Sequence, residues 1–253
     1  MTGVQTCALP IYNTRNEESD QRNKGNESGG WILKECLLCT KELKTGEHFT
    51  DLIFMNQQEE WICKECKEDF EQIGEIHCPR CFKDKEEKVC KDCEYWIQKG
   101  NMVEHEALYR YNAAMKDYFK RYKFEGDRLL GMVFACDIKK ALKKYKSYTI
   151  IPTPISHEKK QERGFNQVST ILDFAEIKYN SLFQKEDTLA QSKKTREERL
   201  KTSQHFQLKG EISEKQKYLI IDDIYTTGKT IELMKRLLIE KGVKEIKTLS
   251  IAR

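Results

Sequence analysis

The chain has 253 residues, of which 34% are charged and 38% hydrophobic, and a formal net charge of +4. Its apolar runs are only a few residues long, far short of the roughly 20 that span a bilayer, and no basic segment followed by an apolar one opens it. The sequence therefore predicts a soluble chain with no membrane span and no secretory leader, and its paired cysteines predict a cytoplasmic one. Charge is uneven: residues 31–101 hold 11 Lys/Arg against 16 Asp/Glu, while residues 102–253 hold 31 against 21. Any polyanion is expected on the C-terminal part.

Residues 1–30 differ from the rest. "NTRNEESDQRNKGNESGG" offers too little apolar surface to offset its ordering entropy. "MTGVQTCALPIY" resembles a translated sequencing-adapter remnant. Residues 1–30 are therefore expected to be a disordered or artefactual extension, outside the fold.

Residues 31–100 carry eight of the ten cysteines, as four C-x-x-C pairs: Cys36/Cys39, Cys63/Cys66, Cys78/Cys81 and Cys90/Cys93. Repeated two-residue knuckles suit tetrahedral zinc better than a disulfide framework, and imply a reducing compartment. A segment this short and this poor in periodic hydrophobicity needs structural metal to hold together. Eight thiolates fill two four-cysteine sites. Sequential pairing (36/39 with 63/66, 78/81 with 90/93), as in a double zinc ribbon, is favoured; a crossed arrangement or one zinc with spare thiols also fits. His48, His77 and His105 are expected as surface or packing residues, because thiolates already saturate the sites.

From about residue 101 the pattern changes. "ALYRYN" reads as a strand. "AAMKDYFKRYKF" has Met115, Tyr118, Phe119 and Tyr122 at helical spacing, and "RLLGMVFACDIKKALKKY" continues as a second amphipathic helix. "YTIIPTPI" is a β-branched strand running into a loop constrained by Pro152 and Pro154. "FNQVSTILDFAEI" reads as a helix, and "TLAQSKKTREERLKTSQHF" as a charged, mobile segment. "KYLIIDDI" is a buried strand, "GKTIELMKRLLIEKG" a helix stopped by Gly242, and "EIKTLSIA" a last strand. Alternating strands and helices give an α/β domain over 101–253, with a mostly parallel sheet covered on both faces.

"YLIIDDIYTTGKT" admits three readings. A Walker A loop, G-x-x-x-x-G-K-[ST], needs its first glycine where Asp223 stands. Without a Walker A, "LIIDD" has no role as a Walker B strand. As one unit, it sets Asp222 and Asp223 at the carboxyl edge of a parallel sheet, where α/β proteins bind ligands. Adjacent carboxylates repel a phosphate but accept hydrogen bonds from vicinal hydroxyls such as those of a ribose. The following "TTGKT" opens a helix whose N–H groups and dipole favour a phosphate. Thr226, Thr227 and Thr230 add hydroxyls, and Gly228 permits close approach. An ordinary strand–turn–helix with a solvated acidic pair is the bland alternative.

This stretch resembles the 5-phosphoribosyl diphosphate (PRPP) signature of the type I phosphoribosyltransferases; Lys229 departs from the small residue often found there. "IIPTPISHEKKQERGFNQ" and "LAQSKKTREERLKTSQHF", after four C-x-x-C knuckles, resemble the competence protein F family (ComF/ComFC). The resemblance covers about residues 36–253. It implies a type I phosphoribosyltransferase sheet preceded by a small zinc-ribbon-like domain. It places Arg163, Gly164, Phe165, Asn166 and Gln167 beside the pyrophosphate, and Gln191, Lys193, Arg196 and Arg199 on a lid over residues 188–206. Magnesium would bridge pyrophosphate and ribose hydroxyls, with Arg163, Lys193, Lys194 and Arg196 as candidate cations toward the leaving group. Asp222 and Asp223 would offset charge on the ribose ring. The acceptor is not legible, and the fold also serves binding without transfer. The family's part in natural transformation implies single-stranded DNA and a DNA-uptake helicase as partners, at the inner face of the membrane. "YRYNAAMKDYFKRYKF" and "KKALKKYK" interleave cations with aromatics as single-strand binders do; the plain reading is a buried aromatic stripe with a solvated lysine face.

Overall fold

The computed structural model describes residues 34–43, 61–185 and 206–253. Its centre is a four-stranded sheet. Strand β3 (Glu106–Tyr109) follows two short N-terminal strands, β1 (Lys34–Glu35) and β2 (Glu42–Leu43), and β4 (Tyr148–Pro152), β7 (Lys217–Ile224) and β8 (Ile246–Ala252) complete it. The order is β3-β8-β7-β4 and every pairing is parallel. β7 spans the octapeptide "KYLIIDDI" and lies between two neighbours, so its apolar run is buried on both sides.

Period-two alternation divides the sheet between two cores. Leu219 and Ile221 of β7, with Leu249 and Ile251 of β8, face helices α3 (Ala113–Phe124), α4 (Gly131–Ala141) and α6 (Gln167–Phe174). Tyr218 and Ile220 face the other way, onto Ile231, Met234 and Leu238 of helix α7 (Lys229–Glu240). In α3 the predicted stripe of Met115, Tyr118, Phe119 and Tyr122 is fully buried, each side chain contributing about 1.5–3 kcal/mol. Asn112 caps this helix by accepting from the Met115 N–H at 3.0 Å. The second predicted helix is broken into α4 with a 3₁₀ turn at each end, Arg128–Leu130 and Leu142–Tyr145.

Several elements were not foreseen. A short helix, α5 (His157–Arg163), is capped by Ser156 and ended by Gly164 in the left-handed region at φ 78°. An antiparallel ribbon pairs β5 (Phe183–Lys185) with β6 (Phe206–Leu208). Two further helices, α1 (Lys64–Glu68) and α2 (Lys91–Gln98), each begin directly after the first cysteine of a C-x-x-C pair, Cys63 or Cys90.

The cysteine segment does not stand apart from the sheet. Cys36 belongs to the same apolar cluster as α3, α4 and α6, together with Ile62 and Phe70. Cys78, Cys81, Cys90 and Cys93 belong to the cluster that holds α7. One group of cysteines therefore lies on each side of the sheet. Among the described residues no helix is long and apolar enough to cross a membrane.

Candidate functional site

The carboxyl edge of β7 carries the acidic pair. Asp222 Oδ1 accepts from the Thr153 hydroxyl at 2.8 Å and from the Asp223 N–H at 2.9 Å. Thr153 follows β4, and its carbonyl accepts from the Asn166 side chain at 2.8 Å. Asn166 also caps α6, accepting from the Ser169 N–H. The "RGFN" element thus orients Asp222 through Thr153. Asp223, one residue on, turns to the opposite face as strand alternation requires. There Lys123 of α3 pairs with its Oδ2 at 2.6 Å, while its Oδ1 accepts from the Ile224 N–H at 2.7 Å. Among the described residues no donor reaches Asp222 Oδ2, which leaves it as the open acceptor of the pair. Burial, and then the charge of Asp223, push the Asp222 carboxyl up to about 7 against the pull of Thr153, the Asp223 N–H and Lys123.

Arg163 ends α5. Its Nη1 donates to Gln167 Oε1 at 3.0 Å, and its guanidinium lies 5.4 Å from the centre of the exposed Phe124 ring. Its Nε is buried without a hydrogen bond among the described residues. Gln167 is itself buried, with its amide donating to the Phe165 carbonyl at 3.3 Å. The lid residues Gln191, Lys193, Lys194, Arg196 and Arg199 lie outside the described residues, as does His48.

The turn after β7 is shaped by its outer side. Gly228 opens α7 in the left-handed region at φ 75°. Thr226, Thr227 and Lys229 are exposed and Thr230 is half-buried. The Tyr225 carbonyl accepts from Arg253 Nη1 at 3.1 Å, the Thr226 carbonyl from the same nitrogen, and the Thr227 carbonyl from the Trp96 indole at 2.7 Å. Three successive carbonyls are thus held on that side, just ahead of the first turn of α7. Neither Arg253 nor Trp96 was anticipated from the sequence. Replacing Gly228 by alanine should be costly: the added Cβ would lie 2.2 Å from the Tyr225 hydroxyl at a φ that L-residues avoid. Tyr225 cannot yield, stacked on His105 at 4.0 Å with Arg253 at 4.7 Å on its ring. Thermal denaturation of Gly228→Ala should show a loss of about 2 kcal/mol or more; an unchanged melting temperature would contradict this geometry.

The eight paired cysteines form two clusters, Cys36/Cys39/Cys63/Cys66 and Cys78/Cys81/Cys90/Cys93, each with all four sulfurs within 4.8 Å of one another. The pairing is the sequential one. Sulfur separations of 3.6 Å (Cys39–Cys63), 3.9 Å (Cys78–Cys93) and 3.5 Å (Cys81–Cys90) exclude disulfides. They match the edge of about 3.8 Å of a tetrahedron with metal–sulfur bonds of about 2.3 Å. The two clusters share a backbone design. In each the first cysteine's Sγ accepts from the N–H of the third, Cys63 to Cys36 at 3.3 Å and Cys90 to Cys78 at 3.4 Å. Thr40 and Phe82, both at φ 59°, close the two knuckles. The donor sets fit structural zinc, with no open position for water.

The histidines take packing roles. His105 is buried, bonded to Thr248 and Ser250 at 2.9 Å each, and burial holds its pKa well below the usual value. His77 stacks on Phe82 and bonds the Gly74 carbonyl.

Comparison with known proteins agrees with this fold. Residues 137–253 match the model of the phosphoribosyl transferase domain. The competence protein ComFC of Streptococcus pneumoniae R6 is 43% identical over 219 residues, covering 87% of this chain and all of its own length. The chain belongs to the ComFC family. The ComFC of Bacillus subtilis 168 is 32% identical over 226 residues, covering 86% of this chain and 94% of its own. The competence protein F of Haemophilus influenzae Rd is 24% identical over 221 residues. The chain is thus a ComFC-family protein with a parallel α/β phosphoribosyltransferase domain and two four-cysteine clusters consistent with zinc sites.

Proposed function

We propose that this ComFC-family chain binds PRPP with magnesium at the β7–α7 edge and handles incoming single-stranded DNA during natural transformation. The observation that carries the ligand is the junction of Asp222 with the loop at Tyr225–Gly228. An open carboxylate oxygen for ribose hydroxyls stands immediately before a helix N-terminus whose loop carbonyls are drawn away by Arg253 and Trp96. Asp222 serves the ribose, with Thr153 and Asn166 setting its rotamer. Asp223, neutralised by Lys123, is a second acceptor once that lysine turns to the pyrophosphate. The 5'-phosphate lies on the N–H groups at 226–230, aided by Thr226, Thr227 and Thr230, and Lys229 adds charge at its rim. Magnesium, held chiefly by the ligand's own oxygens, would supply charge neutralisation between pyrophosphate and sugar. Arg163, held on Phe124 and Gln167, is a candidate cation toward the pyrophosphate; the lid residues Gln191, Lys193, Arg196 and Arg199 lie outside the described residues.

The DNA part rests on the family name carried by the relatives and on the basic C-terminal half. Tyr118, Phe119 and Tyr122 are interior, so that stripe cannot stack on bases. The exposed aromatics of this region are Tyr111 and Phe124. A DNA-uptake helicase is the partner to which single strands would be passed, at the inner face of the membrane.

The second reading, an active transferase moving ribose 5-phosphate to a nitrogenous acceptor, uses the same site. Pyrophosphate release with PRPP and magnesium separates the two when candidate bases and amines are offered. The binding reading expects no acceptor-dependent release, PRPP-dependent stabilisation, and single-strand affinity retained in Asp222→Asn. Acceptor-dependent release abolished by Asp222→Asn would establish the transferase instead.

A further inference from the structure

The second cysteine cluster, Cys78/Cys81/Cys90/Cys93, touches the loop proposed to hold the phosphate through one residue at the far end of the chain. The Arg253 side chain is only 5% exposed. Its Nη1 donates to the Tyr225 and Thr226 carbonyls. Its Nη2 donates to Cys81 Sγ at 3.1 Å and Asp92 Oδ2 at 3.2 Å, and lies 4.0 Å from Cys90 Sγ. A planar guanidinium can span two such acceptor sets at once, where a lysine could serve only one. A second link runs in parallel. Helix α2 begins after Cys90 and carries Cys93, and Trp96 on its last turns donates to the Thr227 carbonyl. The three carbonyls of the turn are therefore all held by groups anchored to this cluster. The other cluster, Cys36/Cys39/Cys63/Cys66, lies in the apolar cluster on the opposite face of the sheet.

We infer that Arg253 and Trp96 are positioning residues that couple metal occupancy of the 78/81/90/93 cluster to phosphate affinity at the 225–230 loop. Four thiolates around a divalent ion remain net negative, which holds the guanidinium between cluster and loop. When the ion leaves, the knuckle at Cys81 and the start of α2 at Cys90 lose their common anchor, Arg253 and Trp96 shift with them, and the turn's carbonyls are free to rotate toward the ligand. The coupling is reciprocal: a phosphate that needs the carbonyls held back must in turn retain the metal. The inference rests on the proposed phosphate role of this loop. It assigns the second cluster a part in ligand affinity in addition to packing.

The experiment uses the full zinc-loaded chain, Arg253→Met and Trp96→Phe, checking first that each retains two zinc ions. PRPP affinity is measured by calorimetry with magnesium, and zinc release to a coloured chelator is timed with and without saturating PRPP. In wild type, PRPP should slow one of two release phases by about tenfold, within the usual span of coupling between sites. In Arg253→Met that same phase should be faster and indifferent to PRPP, and PRPP affinity should fall about tenfold. Trp96→Phe should show a smaller change of the same kind. PRPP binding to wild type without slowing either phase would overturn the coupling, as would Arg253→Met retaining both affinity and slowing. If Arg253→Met fails to hold zinc, Trp96→Phe decides by the same two readings. Absence of PRPP binding to wild type would instead remove the phosphoribosyl reading, and this coupling with it.

Discussion

Asp222→Asn should make the unliganded protein more stable at pH 8 and lower its affinity for PRPP about 100-fold. The folded environment raises this carboxyl from the ordinary 3.8 to about 7, so the folded state binds the proton more readily than the unfolded chain. Stability from this group is therefore present in full below about pH 4 and is lost as pH rises to 7. At pH 8 the half-buried, desolvated carboxylate carries its whole penalty, and the asparagine removes it. The gain should be on the order of 2 kcal/mol, less than a rise from 3.8 to about 7 implies, since the new amide needs partners of its own. For a domain of this size that is about 5 °C in melting temperature. At pH 4 the two proteins should melt together. PRPP affinity should fall about 100-fold, the loss of charge-assisted hydrogen bonds to the sugar. Thermal scans at the two pH values, with and without PRPP and magnesium, check both halves. Equal melting at pH 8 together with retained PRPP stabilisation would show that Asp222 is neither strained nor a ligand group.

Cys90→Ser should lower bound zinc from two ions per chain to one and destabilise the whole α/β body. Cys90 is 2% exposed and packs in one apolar cluster with Tyr218 and Ile220 of β7 and Met234 and Leu238 of α7. Losing the ion there leaves unpaired thiols inside the layer that supports the site. Structural zinc contributes several kcal/mol to folding, so a fall of about 5 kcal/mol, or more than about 10 °C, is expected. Cys136→Ser, a change at a cysteine outside both clusters, is the control and should leave zinc content unchanged. Metal analysis with thermal denaturation measures it. Full zinc content in Cys90→Ser would contradict the four-thiolate site.

Much of this was legible because it is written locally. The strand at Lys217–Ile224, the helix at Lys229–Glu240 and the buried stripe of α3 follow from hydrophobic period alone. The cysteine spacing favours sequential clusters without excluding crossed ones, and the geometry shows the sequential grouping. The site's supports were hidden because their partners are remote in sequence. Arg253 meets Cys81 across 172 residues, and Trp96 meets Thr227 across 131; nothing in either neighbourhood signals the other. Lys123 sits in a basic, aromatic run that suggested nucleic acid, yet its described ion-pair partner is Asp223. Splitting of the cysteine segment between the two faces of the sheet was equally invisible, since C-x-x-C spacing reports ligand geometry and not what the knuckle packs against. The ribbon of β5 and β6 is only three residues a side, too short for an alternation pattern to register.

The most direct measurement is calorimetry of the zinc-loaded full chain with PRPP and magnesium at pH 7, in two buffers of different ionisation enthalpy. A site built on Asp222 predicts saturable one-to-one binding and an apparent enthalpy that differs between the buffers. A carboxyl poised at about 7 gives up its fraction of a proton when ribose hydroxyls require the carboxylate, and Asp222→Asn should remove that share of the difference. No heat, with no rise in melting temperature at millimolar PRPP, would contradict the phosphoribosyl site itself.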